Sequence, residues 1–460
     1  MSSSWTSGRE GLEAESQRLL SRLPELLGEA AARAEAIIGT SPLEGRSVAR
    51  LARLAGLAAP DLLPVLRSRD AETIVPVLAR LALRGGPTYV KLGQLVSSTG
   101  GLAPTWVAEA FAGCRDAVPP APPAAIADVL DRSGVLPHLR SWDPRPMASA
   151  SVAQVHEAVL TDGTEVVLKI RRPGIVGVVA ADAAYLLPIL RLVQARNERV
   201  RLANLYGAFD LMVRMFAQEA DLRLEAASIV QMALAFERAS VEVEIPAPIP
   251  GLVTKRVLVM ERIDGASAAL DGVVASYGHA PADLVRLAVA GILETTMVDG
   301  IFHGDLHLGN VLVTPDGLAL IDFGIVGRLS TGQRVALLAL LQAALSEDRN
   351  GIIRALQAFG ALPASVDVDA FLAQLPPPLT REQREAVMAG PGGREHMQER
   401  FSGIVRALGA SQFRIPPELT LFAKNLVYLG DAIQRHAPEL DLEAELGGTV
   451  TTILQRVAGA

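Results

Sequence analysis

The run His303-Gly304-Asp305-Leu306-His307-Leu308-Gly309-Asn310, followed by Ile321-Asp322-Phe323-Gly324, carries the clearest chemistry in the chain. An Asp and an Asn five positions apart, with a second Asp seventeen past the first, is the layout of a phosphoryl-transfer site. Such transfer needs positioning and charge neutralisation more than covalent help. Asp322 and Asn310 offer hard oxygen ligands suited to Mg²⁺. Asp305 is then the carboxylate that accepts or orients the proton of an attacking hydroxyl or water. Asp, Asn and Gly also make ordinary turns, so either motif alone would be weak. Here the apolar runs 311–313 and 318–321 flank the turn Pro315-Asp316-Gly317, which sets both motifs in a strand-turn-strand unit. His307 reads as a hydrogen-bonded support in a polar loop rather than a base.

Such a site needs a phosphate-binding lysine on a strand, and Glu165-Val166-Val167-Leu168-Lys169-Ile170 supplies Lys169. The turn Thr161-Asp162-Gly163-Thr164 places this strand directly after the segment Ala148 to His156. That segment stands where a Gly-rich phosphate loop would be, yet it has no glycine between Met147 and Leu160. Ala150, Ser151 and Val152 are the candidate nucleotide contacts, and their Cβ atoms limit close backbone approach. Met260, Glu261 and Ile263 form a candidate hinge whose backbone could meet an adenine. A glutamate must pair with Lys169, and the helical stretch from about Tyr206 to Arg238 offers Glu219, Asp221 and Glu225. Asp221 and Glu225, four apart, share a helix face. Further upstream, Pro87 suits a first helical turn, and Lys91 and Gln94 then project from one face. Gly93 between them costs about 1 kcal/mol relative to Ala in a helix, which implies a close neighbour.

Taken together, Lys91-x-Gly93-Gln94, the Ala/Ser-rich segment ending Gln154-Val155-His156, Lys169, Glu219-x-Asp221, Glu225, His303 through Asn310 and Asp322-Phe323-Gly324 resemble the UbiB (AarF-type) atypical kinase family. The resemblance runs from about residue 87 to 328. It implies an α+β, bilobal, protein-kinase-like fold with helical extensions at both ends, and ATP or ADP with Mg²⁺ held between the lobes. It assigns Glu225 to orient Lys169, and Lys91, Gln94, Glu219 and Asp221 to a lid over the cleft. It also implies an ATP-dependent phosphotransferase or ATPase tied to isoprenoid quinone and lipid metabolism, with an isoprenoid lipid, a quinone precursor or lipid-pathway enzymes as partners. Leu308 stands where the family commonly has Pro, and Ala153 where it commonly has Gly. Two other readings use the same residues: a nucleotide-sensing pseudokinase scaffold, and a small-molecule phosphotransferase. An open acceptor cleft expected of the latter fits poorly with the Lys91 motif.

Around these residues the chain reads as five segments: helices over 1–86, the Lys-Gly-Gln helices and a Pro-rich connector over 87–137, a first lobe over 138–260, the core of a second lobe over 261–345, and a helical extension over 346–460. Helices are expected over Leu12 to Ile38 and Ala71 to Leu83, with joints at Gly45 and Ala59-Pro60, and a strand over Val253 to Met260. Breaks are expected at 376–378 and 390–393. With 460 residues, half of them hydrophobic, a large core is available. A net charge of −7 argues against nucleic acid as the main partner. Arg191, Arg196, Arg199 and Arg201 are expected on solvated helix faces or at anionic head groups. The single cysteine, Cys114, excludes an internal disulfide. No secretory signal and no run of about eighteen apolar residues is seen, so the expectation is a cytoplasmic protein with at most peripheral membrane contact.

Overall fold

In a computed structural model the strands within residues 139–171 pair antiparallel; from Gln154 to Leu160 buried and part-exposed side chains alternate, while 166–170 are buried throughout. The structure describes residues 5–7, 9–41, 45–67, 71–97, 110, 119–196, 205–374 and 416–459. Cys114, Arg199, Arg201 and the expected breaks at 376–378 and 390–393 lie outside these, as does the side chain of Gln94. The chain divides into two compact units: Met1–Gly278 with Asp305–Val326, and His279–Gly304 with Gly327–Ala460.

The first unit holds a sheet in the order β1 (Leu139–Trp142), β3 (Ala153–Leu160), β4 (Glu165–Arg171), β7 (Val257–Glu261), β6 (Pro248–Val253), with β2 (Ala148–Ser149) also on β3. Strand thus begins at Pro248, earlier than the sequence pattern suggests, and a turn at 254–256 splits the run into two strands. Gly163, at φ 95, takes the left-handed turn between β3 and β4 that a side chain would strain. On one face, Val166, Leu168, Ile170, Val257 and Val259 pack with Ile126 and Leu130 of α5 (Pro123–Arg132). Each such side chain contributes about 1.5–3 kcal/mol relative to exposure. Gln154, fully buried, accepts the Ala121 N–H at 2.7 Å and so ties the Pro-rich connector to β3. His156 bonds the Asp143 carbonyl through Nδ1 at 2.8 Å.

Four helices precede the sheet: α1 (Leu12–Ile38), α2 (Gly45–Arg67), α3 (Ala71–Gly85) and α4 (Pro87–Ser97). α2 runs through Ala59-Pro60, so no joint forms there. After β4 come α6 (Ile175–Arg196), α7 (Leu205–Glu219) and α8 (Leu222–Ala239), against which α1 packs. The helical stretch expected over 206–238 is therefore two helices. Asp221, at φ −123, caps α8 by accepting the Arg223 N–H, a position that short acidic side chains favour. By length and composition α6 could cross a bilayer, but Val179, Ala183 and Leu187 bury in a core with Phe209, Val213 and Phe216 of α7. A second sheet, β5 (Val243–Glu244), β11 (Gly317–Leu320), β10 (Val311–Thr314), β8 (Ala266–Ser267), carries the loop pair with the acidic motifs.

In the second unit, β9 (Ile301–His303) pairs with β12 (Val326–Arg328), and the longer described helices are α9 (Pro281–Glu294), α10 (Thr331–Leu345), α11 (Arg349–Phe359), α12 (Pro417–His436) and α13 (Leu442–Gly459). Gly327 lies flat on Phe302, where a Cβ would come within 2.1 Å of the ring. Phe302 meets Phe422 edge-on, and Asn425, wholly buried, donates to the His303 carbonyl.

Candidate active site

β4 is buried along nearly its whole length, so Lys169 enters the interior as an ammonium that needs anionic partners. It finds two. Nζ donates to Glu225 Oε1 at 2.6 Å and to Asp322 Oδ1 at 2.9 Å. Burial disfavours the ammonium, but the Asp322 and Glu225 carboxylates outweigh it and raise the Lys169 pKa, so the side chain stays charged. Glu225, on the first turn of α8, also accepts the Phe323 N–H at 3.1 Å. One glutamate thereby holds both the lysine and the backbone beside Asp322.

Burial pushes the Glu225 carboxyl up to about 7, against the pull of Lys169 and with some help from Asp322. The folded chain then binds this proton more tightly than an unfolded chain, whose carboxyl titrates near 4.5. Stability from this group is therefore expected to decline as pH rises from about 4.5 to about 7. Tm followed across that window should fall less steeply for Glu225→Gln than for the parent; parallel curves would refute the assignment.

Asp322 adopts φ 62, a left-handed conformation uncommon for a side chain other than glycine. It turns Oδ1 toward the Gly324 N–H at 3.2 Å and leaves the side chain half exposed. The 305–310 loop is tied to it through the backbone: Asn310 Nδ2 donates to the Asp305 carbonyl at 2.9 Å, and the Ile321 N–H donates to the Asn310 carbonyl at 3.0 Å. His307 Nδ1 accepts the Gly309 N–H at 3.0 Å, the supporting role its loop position suggests. One exposed carboxylate and one amide joined by this rung suit Mg²⁺, which keeps waters and takes its remaining ligands from phosphates.

The nucleotide-contact candidates divide. Ser151 and Val152 are buried, and with Pro87, Thr88 and Lys91 of α4 they line a cavity of about 10 Å³, room for no more than one water. The Ala150 carbonyl accepts from Arg172 Nε at 2.7 Å. At the hinge, Met260 pairs with Val167 and is buried, while Ile263 is half-buried. The Glu261 side chain is already engaged: Oε1 accepts Arg9 Nε at 2.9 Å and Oε2 the Ala247 N–H at 3.0 Å. Its backbone N–H also donates, to the Ala247 carbonyl at 2.9 Å.

The acids grouped as a lid also separate. Lys91 pairs with Glu219, both largely buried. Asp221 does not join them. Its carboxylate, fully buried, lies on Arg33 Nη2 at 2.9 Å and on Arg223 at 2.8 Å, because the break before α8 turns it toward α1. Nothing in the local pattern singled out Arg33, which stands 188 residues away.

Comparison with known proteins follows the same lines. Residues 113–356, more than half the chain, match the ABC1 atypical kinase-like domain. An uncharacterized protein of Mycobacterium tuberculosis is 30% identical over 373 residues, covering 78% of this chain and 74% of that one. A probable protein kinase UbiB of Azotobacter vinelandii is 31% identical over 390 residues, covering 82% and 71%. Among solved structures, the complex of a Mycobacterium tuberculosis protein with erythromycin shares 22% identity at a TM-score of 0.45, covering 85% of this chain and 94% of that one. With a domain match of that extent and relatives about 30% identical over most of its length, this α+β chain belongs to the ABC1 atypical kinase-like family of UbiB type.

Proposed function

We propose that this chain binds ATP or ADP with Mg²⁺ and acts as an ATP-dependent phosphotransferase or ATPase. The observation that carries the reading is Lys169 Nζ held at 2.6 Å from Glu225 and 2.9 Å from Asp322. Three side chains drawn from β4, α8 and the segment after β11 converge on one point. Lys169 would hold nucleotide phosphates, Glu225 would fix the lysine's direction, and Asp322 with Asn310 would hold Mg²⁺. The ion, when bound, neutralises charge on the transferring phosphoryl group. Asp305 would take or orient the proton of the acceptor. Relatives are named UbiB, and from the family resemblance the acceptor is proposed to be an isoprenoid lipid or quinone precursor. Lipid-pathway enzymes and a peripheral membrane contact follow as proposed partners. Ser151 and Val152 pack tightly against α4, which favours α4 as a cover over the nucleotide loop and disfavours an open acceptor cleft.

Nucleotide binding measured with and without Mg²⁺ tests this. Asp322→Asn and Lys169→His each remove a charge-assisted contact worth about 1.5–3 kcal/mol, so affinity should fall on the order of 10- to 100-fold. Parent-like binding in both variants would refute the site.

A further inference from the structure

The α4 helix is held on a second face that the Lys91 pair does not touch. Tyr89 and Lys91, two residues apart, point about 200° from one another around a helix. Tyr89 Oη lies 2.5 Å from Tyr185 Oη of α6. Tyr185 spends its one hydroxyl proton on Asp182 Oδ1 at 2.7 Å, so the proton between the two phenols must come from Tyr89. Asp182 is fully buried and takes Arg50 of α2 on both oxygens, at 2.8 and 3.1 Å. Arg50 also donates to the Gly85 carbonyl at the end of α3, just before α4 begins. Gly85 has no room for a side chain, since a Cβ would sit 2.6 Å from the Tyr89 ring. Burial pushes the Tyr89 and Tyr185 phenols above their ordinary range, which keeps both neutral and able to donate.

We propose that the run Tyr89–Tyr185–Asp182–Arg50 is a latch on α4, separate from Lys91–Glu219, and that it sets how often this helix lifts from the Ser151–Val152 loop. The consequence for turnover rests on the nucleotide reading above; the latch itself does not. A network satisfied at every member, anchored by a buried carboxylate and its arginine, gives α4 one seated arrangement. Tyr185 is the link whose hydroxyl can be removed with least change of shape.

Hydrogen exchange on the full chain without nucleotide tests the latch. In Tyr185→Phe the loss of about one net hydrogen bond should speed exchange of α4 amides roughly fivefold. Amides of β3 and β4 should keep the parent rate, because the opening is local. The double variant Tyr185→Phe/Lys91→Ala should show the product of the two single effects, as expected for contacts on different faces. Parent-like exchange in α4, or an equal acceleration in α4 and the β3–β4 pair, would overturn the latch. Should Tyr185→Phe fail to fold, Tyr89→Phe removes the same bond from the other end and is judged by the same two outcomes. Mg-nucleotide hydrolysis read on these variants should rise with α4 exchange. If the parent binds no nucleotide, the site reading fails while the exchange result on the latch stands.

Discussion

Asp305→Asn should bind Mg-nucleotide as tightly as the parent and turn it over roughly 10²–10⁴-fold more slowly. Affinity is preserved because Asn310 Nδ2 is received by the Asp305 carbonyl, which the substitution leaves in place. Asn310 therefore stays in place, and Asp322 stays on Lys169. What disappears is the group proposed to take or orient a proton. The check is a pair of measurements, nucleotide affinity by titration and turnover by phosphate release. A large loss of affinity would move Asp305 into a binding role, and unchanged turnover would remove it from the chemistry. The upper end of the range applies to transfer onto a hydroxyl; hydrolysis, in which water needs only orientation, belongs at the lower end.

Asp221→Ala should lower the unfolding free energy by about 3–5 kcal/mol, because it strands the buried charge of Arg33, while Arg223 keeps Glu29 at 2.7 Å. Arg33 and Arg223 are 11% and 17% exposed, and both are paired to a carboxylate that is fully buried. Burial alone would push the Asp221 carboxyl up, yet Arg223 and Arg33 outweigh it and hold its pKa below 3.8. By linkage, the stabilisation is fully present above about 3.8 and lost only as pH falls beneath it. The same residue caps α8, which bears Glu225 as its fourth residue. Asp221→Asn keeps a capping oxygen and removes the charge, so it separates the two contributions: a cap is worth about 1 kcal/mol. Urea denaturation of both variants decides. An Ala variant within about 1 kcal/mol of the parent would show that the arginines find water instead.

The two variants fall on different sides of what a reader of the chain can see. Lys169, Asp305, Asn310 and Asp322 stood out as candidates because phosphoryl transfer restricts residue types severely, and the strand-turn-strand pattern around the acidic motifs restricts their placement. The strand pair that carries Lys169 was legible too, since an apolar run after an Asp-Gly turn marks a hairpin. Glu219, Asp221 and Glu225 could be seen as a cluster of acids but not assigned separately by their spacing. Their roles diverge at one backbone break, at Ala220 and Asp221, which a continuous helical pattern conceals.

What the linear order of residues determined by itself is therefore the family and the residues from which the proposed chemistry is argued, because charge type and motif spacing survive any arrangement of the surrounding helices. The family resemblance anticipated Lys91 with Glu219, whereas tertiary structure alone decided the other partners: Asp221 with Arg33 and Arg223, Tyr89 with Tyr185, and Glu261 with Arg9. The physical reason is that a charged or hydroxyl side chain specifies what kind of neighbour it needs when buried, but not which one. Among 43 basic and 50 acidic residues many pairings satisfy that need, and only the packing of α1, α4, α6 and α7 selects among them.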